Sequence, residues 1–239
     1  MNAPTPQVHP LHHVSKAEIE AHGEAVAERW LEIKSSGELE QKIEAMNKGI
    51  MPLKTAQHKR LNAVLKSPRS VYAKIEAVWA ALDELGKLIK PYAACRRGCS
   101  HCCHQSVLIF SPEAELIGKR IGVKPKHYTG VRKRDDIESG YHNPCPFLKD
   151  NACSIYEHRP SPCRSLYNLD RDALLCELIG PVGNVPFANH RDYDDAMVLM
   201  VGEQKQILER DPVRGVMRPG MQTSLPPLGD IRDFFPRGK

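Results

Sequence analysis

The ten residues CRRGCSHCCH, Cys95–His104, hold four cysteines and two histidines, and Cys102 and Cys103 are adjacent. Taken alone, the stretch suits a disulfide knot, a zinc site, an iron–sulfur site or a reactive thiol centre. A second group follows in CPFLKDNACSIYEHRPSPCR, with Cys145, Cys153 and Cys163, and Cys176 stands further on. No cysteine precedes Cys95, so the eight in the chain are not general core usage.

Compartment and geometry weigh against disulfides. The N-terminal MNAPTPQVHPLHHV has no apolar core of a secretory leader and reads as a disordered lead-in over residues 1–14. No apolar run approaches the roughly 20 residues that a membrane helix needs. The expected location is therefore cytoplasmic, where thiols stay reduced. Adjacent cysteines can bond to each other only through a strained ring. At 239 residues the chain is also long enough to bury a core without disulfide staples.

Metal binding explains the spacing better. Two thiolates separated by two to four residues reach one ion from a single turn, and a distant pair completes a tetrahedron. Seven or eight thiolates exceed the needs of one zinc ion, which implies two sites, a polynuclear centre, or one cluster beside spare thiols. Zinc and iron–sulfur clusters both take four thiolates, so the cofactor stays open between zinc and iron. Cys95-x3-Cys99-x2-Cys102 also has the radical-SAM spacing, but the repeated strand–helix alternation of a barrel is missing. His101 and His104 flank the adjacent pair and either complete a site or hold a hydrogen bond beside it. Arg96, Arg97, Arg159 and Arg164 are placed to offset a negative thiolate centre; Arg159 has the simpler alternative of pairing with Glu157. Tyr156 and Pro160 shape the turn that presents Cys163.

The fold class expected is mainly α, a small helical domain with long irregular cysteine-bearing loops around a metal centre. Hydrophobic residues make up 41%, aromatics 6%, and there are 19 prolines, which favours a modest core and long ordered loops. Ser15 and Glu18 form a capping-box signature, with Ile19, Val26, Trp30 and Ile33 on one face and a break at Gly37. A second helix is expected over Glu38–Met46, ending near Gly49 and Pro52. Ser67-Pro68 marks a third start, with Ile75, Val78, Leu82, Leu85 and Ile89 following to about Lys90. SPEAELIGKRIG, Ser111–Gly122, carries a Ser cap, Pro at the first position, Glu in the first turn and a closing Gly. DRDALLCELIG over 170–180 reads as helical, as does HRDYDDAMVLMVGEQKQILER over 190–210, where Met197, Met200, Val201 and Leu208 share a face. Its methionines read as core filler.

These segments suggest an N-terminal helical region over 15–90, a cysteine-cluster metal-binding domain over 91–210 and an extended tail over 211–239. Phe234 and Phe235 would dock that tail on the body or on a protein partner. The net charge of +5 is mild, and the VRKRDD run partly cancels itself, reading as a solvated loop. That pattern argues against a nucleic-acid partner.

ACRRGCSHCCHQSVLIFSPEAELIG followed by CPFLKDNACSIYEHRPSPCR resembles the CxxCxxCC family, the YkgJ-type cysteine-cluster proteins described as zinc- or iron-chelating. The resemblance runs from about Pro91 to Cys176. It implies a metal site at Cys95, Cys99, Cys102, Cys103, Cys145, Cys153 and Cys163, and it matches Pro146–Leu148, Ile155–Pro160 and Arg164. Cys176 lies outside the pattern and is expected to be dispensable for metal. A similar arrangement in the flagellin lysine N-methylases goes with an iron–sulfur centre and S-adenosylmethionine, although no Gly-rich loop follows a strand here. The implied function is a metal-binding protein. The alternatives are an iron–sulfur redox or methyl-transfer enzyme, and a zinc module that contacts protein or nucleic acid.

Overall fold

The segment VYAKIEAVWAALDELGKLI is apolar at three- and four-residue intervals, and it forms the helix around which the rest packs. The computed structural model describes residues 11, 13–133, 136, 139–180, 184–188, 190–210 and 217–237. Within them the fold is mainly α, with α1 (Lys16–Ser36), α2 (Glu38–Leu65) and α3 (Val71–Ile89) in succession. Ile75, Val78, Leu82, Leu85 and Ile89 of α3 are all at or below 1% exposure. Shorter elements follow: β1 (Leu108–Phe110), α4 (Ser111–Ile121), β2 (Leu148–Lys149), β3 (Ala152–Cys153), α5 (Ser161–Ser165), β4 (Tyr167–Asn168), β5 (Phe187–Ala188) and α6 (Arg191–Val201). The described chain ends with β6 (Glu203–Arg210), β7 (Met217–Ser224), β8 (Leu228–Asp230) and α7 (Ile231–Phe234). α3 touches α2, α4, α5 and α6, so both cysteine groups hang from one scaffold. No described helix is long and apolar enough to cross a membrane.

The cap signals at the first helix hold. Ser15 and Glu18 form the reciprocal box, and Gly37 takes the left-handed φ of 67° between α1 and α2. The burial on α1 differs from the expectation. Ile19, Val26, Trp30 and Ile33 are only partly covered, while His22 and Arg29 are the buried residues. The reason lies in their partners, acidic groups in the loop after β4 that sequence alone does not pair with α1.

Several boundaries move. α2 does not stop near Gly49 and Pro52 but runs through them to Leu65. Proline inside a helix forfeits one hydrogen bond and costs about 3 kcal/mol; the buried face Met46, Ile50, Leu61 and Val64 offsets this. α3 begins after Ser70, whose side chain accepts from Ala73 N, whereas Ser67 Oγ donates to Val64 O and closes α2. The helix expected over 170–180 is a single 3-10 turn, Leu174–Cys176. Asp172 accepts from Leu174 N there, holding the chain in a turn.

The helix expected over 190–210 ends at Val201. Gly202 turns the backbone extended, and residues 203–210 become β6, antiparallel to β7 with Glu203 opposite Ser224. Helix propensity is a weak preference, and a full antiparallel partner outweighs it. Met197, Met200 and Val201 are buried in the core as expected. At the C-terminus β8 pairs antiparallel with β1, Leu108 opposite Asp230. Phe234 and Phe235 sit 2% and 5% exposed in the body, so the body rather than a partner receives them. The lead-in over residues 1–10 and Arg134 and Asp135 of the VRKRDD run lie outside the described residues. Arg132 of that run grips Asp233 with two hydrogen bonds, at 2.8 and 2.6 Å.

β4 packs tightly on α3 at Gly86, where a methyl group would run into the hydroxyl of Tyr167. Tyr167 is buried at 6% exposure and precedes Asn168 in β4. Gly86→Ala is therefore expected to destabilise the protein by about 1–3 kcal/mol, read as a lower urea midpoint with an unchanged slope.

Candidate metal centre

The first cysteine loop leaves α3 through a 3-10 turn, Lys90–Tyr92, in which Pro91 blocks continuation of the helix. Ala94 N then donates to Asn168 O at 2.8 Å, fixing the start of the loop on β4. Cys99 N donates to Arg96 O at 3.1 Å across a tight turn, with Gly98 at φ 90°, a conformation that glycine adopts without strain. A second 3-10 turn spans His101–His104 and carries both Cys102 and Cys103.

The histidines of this turn gather on one tyrosine. His101 Nδ1 is hydrogen-bonded to the Tyr141 hydroxyl at 2.7 Å, and the same hydroxyl accepts from Leu178 N at 3.0 Å. The buried His104 ring lies edge-on to Tyr141, 5.0 Å between centroids. Tyr141 therefore ties the first loop to the chain just after Cys176.

The second group is built on a two-residue hairpin. Asp150 and Asn151 take φ of 49° and 55°, the paired left-handed geometry of a tight hairpin turn, and set Cys153 opposite Leu148. Leu148 N donates to Cys145 O at 3.1 Å, and Cys145 N donates to Cys103 O at 2.6 Å. The two cysteine groups are thus joined backbone to backbone. Cys163 lies in α5, where Arg159 Nε donates to its carbonyl at 3.2 Å.

Two buried charges hold α5 against the scaffold. The Glu113 carboxylate, 1% exposed, accepts from Trp79 Nε1 at 2.8 Å and from Ser161 N and Oγ at 2.8 and 2.7 Å. Burial raises its pKa, and these donors offset only part of the rise. In the sequence Glu113 belonged to a helix-start signature behind a Ser cap; its side chain instead turns into the core. Arg164, 2% exposed, lies over the Trp79 ring at 4.7 Å, binds Asp83 and donates to Glu157 O and Arg159 O. Arg159 faces Asp83 at 3.5 Å and stacks on Tyr156 at 3.9 Å, so its carboxylate partner is Asp83 rather than Glu157.

Cys176 had no place in the sequence pattern, yet the fold brings it to the first loop. Asn168 donates its backbone N–H to Cys95 Sγ at 3.4 Å and its side-chain amide to Cys176 Sγ at 3.3 Å. Asn168 carried no sequence signal, because its value lies in meeting two thiols that are far apart along the chain.

Cys95, Cys102 and Cys163 keep solvent access, yet they stand in a crevice crowded by protein atoms. Crowding pushes their neighbours' thiols up: Cys145 to about 11 and Cys176 to about 12, both through lost hydration. Cys163 is raised for the same reason, with the charge of nearby Cys102 adding to the effect. Cys102 is the exception. A hydrogen bond from the Cys103 thiol lowers it to about 7, and Cys103 rises in consequence. Arg159 favours the Cys102 thiolate, and Arg96 does the same for Cys99. The C-terminal segment braces the crevice from outside, Arg232 donating to Gln105 O and Asn143 O and Arg237 to Cys145 O.

Soft thiolate donors, with arginines to balance their charge, fit zinc or iron in kind and number. Among the described residues, no three His, Cys, Asp or Glu side chains stand arranged around a common point as metal ligands. The backbones are gathered, and the first side-chain torsion of each cysteine decides where its sulfur points. A separate groove of about 610 Å³, lined by Lys119, Lys124, Lys126 and Tyr128 among others, contains no cysteine.

Comparison with known proteins places the cysteines in context. Residues 94–177, about a third of the chain, match the model of the CxxCxxCC family, whose description reads "Putative zinc- or iron-chelating domain". The matched segment takes in Cys176 as well as the seven cysteines of the sequence reading. No curated protein and no solved structure matches the chain.

Glu113→Ala leaves the Trp79 indole and the Ser161 amide without their acceptor. It is expected to cost on the order of 2–6 kcal/mol, at about 1–3 for each of these two buried donors. Glu113→Gln, which keeps an acceptor oxygen, is expected to cost less in the same denaturation experiment.

Proposed function

We propose that this protein binds zinc or iron through its cysteine thiolates, using Cys95, Cys99, Cys102, Cys103, Cys145, Cys153 and Cys163. The observation that carries the reading is the gathering of two distant cysteine groups into one crevice, joined where Cys145 N meets Cys103 O. The family match over residues 94–177 supports the same chemistry. The metal would supply a Lewis-acidic or, for iron, a redox-active centre. The chain's own residues supply the rest: thiols to bind, Arg96 and Arg159 to offset negative charge, and Tyr141 to hold the loops together. A bound dication with four thiolates carries a net negative charge, which nearby guanidinium groups stabilise.

Purification without oxygen, followed by elemental analysis and a visible spectrum, tests the reading. Zinc, or iron with or without acid-labile sulfide, in stoichiometric amount supports it, and the spectrum then distinguishes a colourless zinc protein from an iron–sulfur protein. A metal-free protein that takes up neither ion on reconstitution overturns it. Cys99→Ser is expected to lower the metal content.

Binding is also expected to depend on pH. Most of the thiols are raised above their ordinary range, so they are protonated near neutrality and must lose protons to coordinate. Affinity should therefore rise with pH and fall on acidification. Calorimetric titration in buffers of different ionisation enthalpy should register protons released on binding.

A further inference from the structure

We infer that the eight thiols make two separate four-thiolate centres, with Cys95, Cys99, Cys102 and Cys176 forming one and Cys103, Cys145, Cys153 and Cys163 the other. This rests on the metal-binding reading above and adds an eighth ligand, a partition and a positioning residue, Asn168.

The first set is defined by hydrogen bonds to sulfur. One residue, Asn168, donates to Cys95 Sγ and to Cys176 Sγ, at 3.4 and 3.3 Å, so the two sulfurs flank the same amide. Donors of this kind stabilise a thiolate and fix its direction. Cys99 follows Cys95 through the tight turn at Gly98, and Cys102 follows Cys99 at the two-residue spacing that lets both reach one ion.

Asn168 is itself held from both sides. Its side-chain oxygen accepts from Asp170 N, and its amide also donates to Asp172 O. Arg29 of α1, 7% exposed, then grips Asp170 at 2.7 Å and Asp172 at 2.9 Å. His22 of α1 faces Glu177, next to Cys176, at 3.3 Å. α1 lies outside the family-matched segment, so this chain supplies its own clamp for the loop that carries Cys176.

The second set is defined by backbone links. Cys145 N bonds to Cys103 O, Leu148 N bonds to Cys145 O, and Cys153 pairs across from Leu148. Cys163 joins from α5, its carbonyl held by Arg159, while Arg164 and Glu113 lock that helix. None of these contacts involves Cys95, Cys99 or Cys176.

The division falls at the peptide bond between Cys102 and Cys103. Both lie in the 3-10 turn His101–His104, where successive side chains are rotated by roughly 120° because a turn takes three residues. In this structure the Cys103 thiol donates to Cys102, and rotation about either first side-chain torsion would turn the two sulfurs toward separate sets. The S–H donated by Cys103 to Cys102 ends once both are thiolates, since neither then has a proton to give.

The test loads the full-length reduced chain with zinc(II) under anaerobic conditions and counts bound zinc by native mass spectrometry. The wild type should carry about two zinc ions, one for every four thiolates. Cys176→Ser and Cys95→Ser should each retain one, Cys153→Ser should also retain one, and the Cys176→Ser/Cys153→Ser double variant none. The ion kept by each single variant reports that the chain is folded. Asn168→Ala should weaken one of the two ions by about tenfold or more and leave the other unchanged. Full retention of two ions in Cys176→Ser overturns the partition, as does loss of both from any single cysteine variant, which would mark one shared cluster. A wild type that binds no zinc and no iron would instead remove the metal-binding reading itself.

Discussion

Loops that carry ligands must satisfy their backbone carbonyls and amides without a helix or sheet ladder, and this constraint organises the cysteine crevice. The partners come from side chains on distant elements. Arg232 reaches Gln105 O and Asn143 O, Arg237 reaches Cys145 O, Arg164 reaches Glu157 O and Arg159 O, and Lys42 of α2 reaches Leu169 O. Each contact turns an irregular segment into a fixed one. The long helices provide the anchorage: the apolar face of α3 is buried in the core, and the loops are pinned to it through Trp79, Glu113 and Arg164.

Charge follows the same logic. Bringing thiols together raises the cost of ionising every one of them except Cys102, through lost hydration and mutual repulsion. The fold counters this locally with Arg96 and Arg159 and with amide donors at Asn168. Thiols held neutral until a cation arrives remain ready to bind while limiting repulsion within the free crevice.

Much of the local architecture was legible beforehand. Ser15 with Glu18 marked the first helix, and the three- and four-residue spacing from Ile75 to Ile89 marked the third, which forms the core. The cysteine spacing was equally plain. Such features are local, so neighbouring residues specify them. The failures share the opposite character. Pro52 sits within a helix because α3 covers its buried face, and residues 203–210 are a strand because residues 217–224 pair with them. Glu113 read only as part of a helix-start signature, and its partners are an indole on α3 and a serine on α5.

By itself, then, the sequence determined a mainly helical chain with two cysteine groups suited to zinc or iron, since residue type and short spacing decide both. Only the tertiary structure decided that Cys176 meets Cys95 at Asn168, and that Arg29 of the first helix holds this meeting in place. Hydrogen bonds act over about 3 Å, whereas these partners lie scores of residues apart. Nothing in a linear spacing records such a contact, because it exists only after the helices have packed.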